Sequence, residues 1–159
     1  MNNFRIGFGY DSHRFGENLP FFMGGVAIPF EKGCIAHSDG DALIHALCDA
    51  LLGAANLKDI GTHFPDNAKE FEKIDSKILL AKVVELVHDK GFAINNVDIT
   101  IIIEKPKMAP HIDSMTKTLC PILHIDPEAL SIKAKTNEKM GFVGSGEGVA
   151  VCAVATIVS

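Results

Sequence analysis

Three residues able to hold a metal ion lie in two separate segments of the chain, and they restrict how those segments can fold. Asp11 and His13 are separated by one residue, so on a β-strand both side chains point to the same face. His45 follows in a largely apolar segment and can supply a third ligand. Two histidines and one carboxylate leave one position of a tetrahedral zinc ion open, as in catalytic sites, whereas structural zinc is usually closed by four protein ligands. The pattern therefore predicts a catalytic metal site at which the two segments meet.

The segment around His45 has the pattern of a helix with a narrow polar stripe. Asp41, His45 and Asp49 recur every four residues and share one helix face. The other positions are mostly apolar, so the helix should be buried on most sides and the stripe should face a cleft. There a flanking Asp can orient the ligating imidazole. A solvated stripe on a surface helix is the alternative, so spacing alone leaves the metal role open.

Composition indicates a single globular domain covering residues 1–159 and excludes several classes of partner. The chain has 47% apolar and 22% charged residues and a net charge of −5. Scattered Lys and Arg residues argue against a surface for nucleic acid or for an anionic membrane. No apolar stretch approaches the roughly 20 residues needed to span a bilayer. The four cysteines are widely spaced and no signal peptide precedes them, which predicts reduced cysteines and a cytoplasmic location.

The predicted elements alternate between strands and helices. Strands are expected around Arg5 to Tyr10, on both sides of Gly24 and Gly25, and at Val97 to Ile103, Leu130 to Thr136 and Val149 to Val158. Helices are expected from Asp41 to Ala55 with Ser38 or Asp39 as cap, from a start formed by Asp75 with Ser76 to Gly91, and from Ala109 to Leu123, where Pro121 weakens the end. Lys58 to Lys69 is predicted as an irregular loop and 141–148 as a glycine-rich turn region. This order predicts an α+β fold with a mixed β-sheet and helices packed on one face.

A series of motifs runs in order through nearly the whole chain. The motifs are Arg5-Ile6-Gly7, Asp11-x-His13, Ala36-His37-Ser38-Asp39-Gly40-Asp41, Asp49-Ala50-Leu51-Leu52-Gly53-Ala54, Asp59-Ile60-Gly61, Phe64-Pro65-Asp66, Pro106-Lys107-Met108 and Glu138-Lys139-x-Gly141-Phe142. Together they resemble the 2-C-methyl-D-erythritol 2,4-cyclodiphosphate synthase family of the non-mevalonate isoprenoid route.

The resemblance implies a metal-dependent lyase that performs an intramolecular phosphoryl transfer. The 2-phosphate of 4-diphosphocytidyl-2-C-methyl-D-erythritol 2-phosphate would attack its own β-phosphorus, closing a cyclic diphosphate and releasing CMP. Zinc on Asp11, His13 and His45 would act as Lewis acid and template. Mg²⁺ or Mn²⁺, with Glu138 as its protein ligand, would bridge the α- and β-phosphates. A homotrimer is also implied, in which one subunit supplies the zinc ligands and its neighbour supplies the cytidine-binding stretch with Thr136 and Glu138.

The resemblance further implies roles for individual residues. His37 and Thr136 match residues that act on the reacting phosphates. The implied substrate-binding residues are Ser12, Ser38, Asp59, Ile60, Gly61, Phe64, Pro65, Asp66, Asn67, Ala68, Ile103, Glu104, Lys105, Pro106, Lys107, Met108, Ala109, Lys135, Asn137, Phe142 and Ser145. Within this set, the segment around Asp59 would hold the methylerythritol hydroxyls and Ile103 to Ala109 would hold cytidine. Without the resemblance, Ser38 would be a helix cap and 105–107 a charged strand end.

Two positions depart from the family pattern. Lys135 stands where some members have Thr, and a cation there is compatible with a phosphate contact. Ser145 stands where some members carry Arg, and a hydroxyl cannot form the bidentate phosphate clamp of a guanidinium. Some family trimers have an isoprenoid diphosphate pocket on their axis, near residues matching Phe142 and Glu147. Binding of an isoprenoid diphosphate at this place is therefore expected to be weaker here.

Without the resemblance, two other functions are compatible with the same three predicted ligands. A mononuclear zinc hydrolase would use the metal to activate water, and it would need a general base beside the metal and no nucleotide site. A homo-oligomeric ligand-binding protein would use the metal only to stabilise the fold, so that metal removal would unfold the chain.

Overall fold

The computed structural model describes residues 3–65 and 67–159. Its strands are β1 (Phe4–Glu17), β2 (Phe22–Met23), β3 (Val26–Ala27), β4 (Lys32–Cys34), β5 (Ala93–Ile102), β6 (Leu130–Lys135) and β7 (Gly148–Val158). Its α-helices are α1 (Ala42–Ala54), α2 (Ile60–His63), α3 (Ser76–Asp89), α4 (Ile112–Leu123) and α5 (Gly141–Gly144). Short 3-10 turns cover Lys69–Phe71, Ala109–His111 and Pro127–Ala129.

The main sheet has five strands in the order β4-β1-β7-β5-β6. Its β5 and β6 strands are parallel, whereas the other neighbours are antiparallel. The α1 helix packs against β1 and β7, α3 packs on α1, and α4 packs on α3. The prediction of an α+β fold with a mixed sheet and helices on one face is confirmed.

Strand β1 is longer than the sequence predicted, and it therefore includes the first two predicted metal ligands. Its register with β7 is continuous from the pair Phe4 and Val158 to the pair Arg14 and Gly148. Asp11 and His13 therefore lie two residues apart on a paired strand, and both project to the face that carries α1.

Two glycines on the same face of β1 allow α1 to lie directly against the strand. A Cβ atom on Gly7 would lie 1.8 Å from the carbonyl oxygen of Ala50, and one on Gly9 would lie 1.9 Å from that of Ala46. No side chain fits at either position while the helix stays in place. The next residue along this face is Asp11, which therefore meets the helix near its N-terminal end.

The α1 helix begins at Ala42, one residue later than predicted, and its cap lies two or three residues after the predicted caps. Asp41, not Ser38 or Asp39, is the N-cap, and its Oδ1 accepts a hydrogen bond from the Ile44 backbone N–H at 3.1 Å. The same carboxylate accepts from the backbone N–H groups of Gly24 and Gly25, at 3.0 and 2.7 Å. Asp41 thus joins the turn between β2 and β3 to the start of α1.

Most other predicted elements are present, with changes at their ends. The hairpin around Gly24 and Gly25 forms β2 and β3, and α3 ends before Gly91, whose φ of +81° is the expected left-handed value. The segment predicted as an irregular loop contains α2, because the Asp59 carboxylate accepts from the Thr62 backbone N–H at 2.8 Å and starts a turn. The glycine-rich region contains the short α5 helix.

The sheet face opposite the helices is apolar and exposed. Phe4, Ile6, Phe8 and Tyr10 alternate along β1 and are 59, 65, 63 and 49% exposed. Among the described residues, no helix is long and apolar enough to cross a membrane.

Candidate active site

The three residues predicted as metal ligands meet where β1 passes the first turn of α1. The distance from Asp11 Oδ2 to His13 Nε2 is 2.9 Å, and that from Asp11 Oδ2 to His45 Nδ1 is 3.1 Å. The two imidazole nitrogens are 3.2 Å apart. Three potential ligand atoms therefore form a nearly equilateral triangle.

The size of this triangle suits a divalent metal ion. A tetrahedral zinc ion with bonds of about 2.0 to 2.1 Å places its ligand atoms about 3.3 Å apart. The measured distances of 2.9 to 3.2 Å lie close to this value. Two imidazoles with one carboxylate are also a donor set that zinc prefers. Asp11, His13 and His45 thus form a candidate metal triad.

Electrostatics already favours an ionised carboxylate in the triad. Burial raises the pKa of Asp11, but the hydrogen bonds and charges of His13 and His45 outweigh burial and bring the pKa to about 2. Burial lowers the pKa of His45, but its hydrogen bond to Asp11 and the nearby carboxylates outweigh burial and raise the pKa.

The opposite edge of the His45 ring contacts Ser38, a predicted substrate-binding residue, and Ser76, for which the sequence predicted no role in the site. His45 Nε2 lies 2.9 Å from Ser76 Oγ and 3.1 Å from Ser38 Oγ. Ser76 in turn hydrogen-bonds to the Asp39 carboxylate. The sequence predicts Ser76 only as part of a helix start, and no local pattern shows that α3 begins beside His45.

The Asp expected to orient His45 from its own helix does not do so. Asp41 is fully buried and caps α1, so it does not face the cleft, and burial raises its pKa. Asp49 lies beside the cleft, but its Oδ1 accepts the Ile60 backbone N–H at 2.7 Å, and its pKa is raised mainly by burial. The prediction of one continuous polar stripe facing the cleft is therefore wrong at Asp41.

A cavity of about 310 Å³ opens beside the triad. It is lined by Asp11, His13, Ala36, His37, Ser38, His45, Asp49, Ile60, Gly61, Phe64, Phe71, Ile74 and Leu79. Among the residues predicted to bind or act on substrate, His37, Ser38, Ile60, Gly61 and Phe64 thus lie around the triad. The sequence missed Phe71, Ile74 and Leu79, which are apolar residues with no local sign of a binding role.

Four other residues predicted for the methylerythritol pocket, Asp59, Pro65, Asn67 and Ala68, are not among the residues that line this cavity. Asp59 is exposed, and its Oδ1 is held by Thr62. Pro65 and Asn67 are exposed as well, and the carbonyl oxygen of Ala68 lies 3.4 Å from His37 Nε2. Asp66 lies outside the described residues.

A second cavity, of about 200 Å³, contains most of the predicted cytidine site. Its lining is Ile103, Glu104, Pro106, Lys107, Met108, Ala109, Ala134, Lys135 and Thr136. It shares no lining residue with the cavity at the metal triad. Within this chain, the predicted substrate site is therefore divided into two separate cavities.

The predicted second metal ligand lies in a tight loop next to the cytidine cavity. Glu138 has a φ of +52°, and its Oε1 accepts a hydrogen bond from the Thr136 hydroxyl at 3.1 Å. Glu104 holds this loop, since its Oε1 accepts from the backbone N–H of Asn137 at 2.9 Å. Asn137 donates its side-chain amide to the Met140 carbonyl at 2.8 Å. Glu104 and Asn137 thus support the loop with their side chains.

Four further predicted substrate residues line neither of these two cavities. Ser12 projects to the opposite face of β1 from the triad and lines a cavity of about 210 Å³ with Phe142. Lys105 and Ser145 line another cavity, of about 390 Å³. His13 of the triad also lines the cavity of Ser12 and Phe142, whereas the cavity of Lys105 and Ser145 contains no triad residue.

Comparison with known proteins identifies the family. The model of the YgbB family matches residues 4–158. This chain belongs to the YgbB family. The resemblance drawn from the motifs is therefore confirmed.

YgbB-family relatives match the chain over its whole length. A 2-C-methyl-D-erythritol 2,4-cyclodiphosphate synthase from Thioalkalivibrio sulfidiphilus is 54% identical over 159 residues, which is 100% of this chain and 99% of that protein. A synthase of the same name from Bacteroides fragilis is 52% identical over 153 residues, 96% of each chain.

Solved structures of YgbB-family relatives share the fold. IspF from Plasmodium falciparum, in a CDP complex, superposes with a TM-score of 0.86 at 35% identity and covers 99% of this chain and 97% of that chain. The bifunctional IspDF protein from Campylobacter jejuni superposes with a TM-score of 0.95 at 39% identity and covers 99% of this chain. This chain spans only 43% of that bifunctional protein.

Proposed function

We propose that this protein is a metal-dependent cyclase of the non-mevalonate isoprenoid pathway. It converts 4-diphosphocytidyl-2-C-methyl-D-erythritol 2-phosphate to 2-C-methyl-D-erythritol 2,4-cyclodiphosphate and releases CMP. The observation that carries the proposal is the triad of Asp11, His13 and His45 at a cavity, in a YgbB-family chain whose full-length relatives are named for this enzyme.

The reaction is a phosphoryl transfer within one substrate molecule. An oxygen of the 2-phosphate attacks the β-phosphorus, and the bond from that phosphorus to the oxygen bridging the α-phosphorus breaks. CMP leaves with the bridging oxygen. No protein nucleophile is needed, so the protein contributes positioning and stabilisation of charge.

The substrate phosphates are negatively charged, and the chain itself has a net charge of −5, so bound metal ions would stabilise the phosphate charge. Asp11, His13 and His45 would hold Zn²⁺, which would supply a Lewis acid, and Glu138 would hold Mg²⁺ or Mn²⁺, which would supply charge neutralisation for the diphosphate. The cavity beside the triad is large enough to admit a phosphate group and part of the carbon chain.

Side chains around the triad have donors and acceptors for the rest of the substrate. His37 and Ser38 line the cavity and can donate hydrogen bonds to phosphate oxygens. Asp59 uses Oδ1 to hold Thr62, which leaves Oδ2 to accept from a methylerythritol hydroxyl. In the second cavity, the backbone of Ile103 to Ala109 reads the cytosine edge, while Lys107 and Thr136 contact the diphosphate.

Incubation with substrate distinguishes this activity from the alternatives. Cyclisation releases CMP and gives a cyclic diphosphate that contains no solvent oxygen, which phosphorus NMR in ¹⁸O-labelled water detects. A zinc hydrolase would instead place ¹⁸O in a linear product. A metal-braced binding protein would leave the substrate unchanged.

The two separate cavities and the apolar sheet face support a homotrimer with active sites between subunits. Phe4, Ile6, Phe8 and Tyr10 form an exposed apolar patch, which is typical of an interface. The triad of one subunit and the Ile103 to Ala109 stretch of its neighbour would together complete one site. The four cysteines are free, which fits the cytoplasmic location expected for this pathway.

Mixed trimers test the shared site. His45→Ala removes a zinc ligand, and Glu138→Ala removes the second metal ligand, so each variant should be inactive alone. Because a shared interface can combine the intact zinc site of one variant with the intact Glu138 of the other, mixing and reassembling them should restore CMP release. No recovery in proven mixed trimers, or a monomeric mass in sedimentation with full activity, would contradict the shared site.

A further inference from the structure

We propose that Ser76 and Asp39 are positioning residues that fix the orientation and tautomer of His45, so that its Nδ1 lone pair is directed to the metal position. The inference rests on the proposed role of His45 as a metal ligand. It concerns two residues outside the metal triad, and neither lines the cavity beside it.

The Asp39 carboxylate determines the direction of the first hydrogen bond. An ionised carboxylate only accepts hydrogen bonds. Its Oδ1 accepts from the Asp41 backbone N–H at 3.1 Å, and its Oδ2 accepts from the Ser76 backbone N–H at 2.9 Å. The Ser76 hydroxyl, which also contacts Oδ1, must therefore be the donor in that contact.

Because the Ser76 hydroxyl donates its hydrogen to Asp39, it determines which nitrogen of the His45 ring carries a hydrogen. With its hydrogen directed to Asp39, Ser76 Oγ can only accept, and its neighbour at 2.9 Å is His45 Nε2. His45 Nε2 must therefore carry a hydrogen. In the neutral ring the lone pair then lies on Nδ1, which is the atom 3.1 Å from Asp11 Oδ2.

Burial makes Ser76 the fixed partner of His45. Ser76 is fully buried at the first residue of α3, and Asp39 also donates its backbone N–H to the Ile74 carbonyl at 3.2 Å. Ser38 Oγ lies 3.1 Å from His45 Nε2, but Ser38 lines the open cavity. The hydrogen bonds between Ser76 and Asp39 thus connect the segment before α1 to the start of α3. The contact from Ser76 to Nε2 then fixes the orientation of the His45 ring.

Zinc affinity of the Ser76→Ala variant tests the role of the hydroxyl. Alanine is a good helix former and fits in place of serine, so the fold should be kept. Loss of an outer partner of a metal-binding histidine typically weakens metal binding about 10- to 100-fold, and we expect a loss in this range by competition with a chelator. Ser114→Ala, which removes an exposed hydroxyl from α4, is the matched control and should bind zinc like the wild type.

Nitrogen-15 NMR of the His45 ring gives a readout that a purely structural role would not change. In the zinc-loaded wild type, the Nε2 hydrogen should be visible and protected from exchange with water. In Ser76→Ala it should exchange faster or be lost from the spectrum. A wild-type ring without hydrogen on Nε2 overturns the inference, whether or not the variant folds.

Failure of this inference is distinguishable from failure of the proposed function. A wild-type protein that binds no zinc at His45 contradicts the metal site itself. A wild type that binds zinc normally, with Ser76→Ala equal in affinity and in the Nε2 signal, contradicts only the positioning role.

Discussion

Gly9 of β1 and Ala46 of α1 lie so close that a Cβ atom on the glycine would be 1.9 Å from the alanine carbonyl oxygen. This contact holds the helix at the distance where His45 Nδ1 meets Asp11 Oδ2. Because the neighbouring atom is backbone, a side chain at Gly9 must push the whole helix away from the strand.

Gly9→Ala should therefore damage both stability and the metal triad. Overpacking of this kind costs about 1–3 kcal/mol or more of unfolding free energy, and zinc binding should weaken because the helix shifts. Urea unfolding and chelator competition measure the two effects. Gly53→Ala is the control, since nothing lies within 4 Å of a Cβ there and alanine should stabilise α1 by about 0.5–1 kcal/mol. Equal zinc affinity in Gly9→Ala and the wild type would contradict this account.

His45→Ala should remove zinc binding and turnover while the protein stays folded. The reason is that the triad is an open site beside a cavity and not a closed structural clamp. Metal analysis, CMP release and circular dichroism measure the three properties. His88→Ala, near the far end of α3, is the control and should keep zinc. An unfolded variant, or one with stoichiometric zinc and normal CMP release, would show that His45 is not the ligand.

Asp11 should contribute to stability in a pH-dependent way in metal-free protein. Burial raises its pKa, but hydrogen bonds from His13 and His45 outweigh burial and lower the pKa from 3.8 to about 2. A lowered folded-state pKa stabilises the fold above the unfolded-state pKa, and this stabilisation is lost as the pH falls from about 4 to about 2. Asp11→Asn should thus cost about 2 kcal/mol at neutral pH, with the difference from wild type vanishing towards pH 2. Urea unfolding in the presence of a chelator gives both curves, and a difference that does not depend on pH would contradict the assignment.

Ser145 should limit the binding of an isoprenoid diphosphate. Its hydroxyl lies 3.0 Å from Glu147 Oε1 and 3.2 Å from the Phe142 carbonyl oxygen. A serine hydroxyl is uncharged, so this position provides no positive charge to bind a diphosphate. Ser145→Arg should tighten binding of geranyl diphosphate in calorimetry, because a charge-assisted hydrogen bond contributes about 1.5–3 kcal/mol when formed. Ser114→Arg adds the same charge elsewhere and should leave the affinity unchanged. Equal affinities in wild type and Ser145→Arg would mean that Ser145 does not face such a pocket.

Local patterns predicted the elements that carry the triad. The spacing of Asp11 and His13 indicated one strand face, and the apolar period around His45 indicated a helix, because both periods depend only on neighbouring residues. The same reasoning placed the helix cap wrongly. Asp41 caps the helix because it also binds Gly24 and Gly25, which local spacing does not show.

The sequence by itself determined the family, the mixed α+β fold and the residue types of a metal triad. Only the tertiary structure decided that Ser76 contacts His45 and is itself hydrogen-bonded to Asp39. It alone also decided that the triad and the Ile103 to Ala109 stretch line separate cavities in this chain. The physical reason is that a periodic pattern fixes which face of one element a side chain occupies. The distance between two elements depends instead on packing, here on the backbone contact that Gly9 permits against α1.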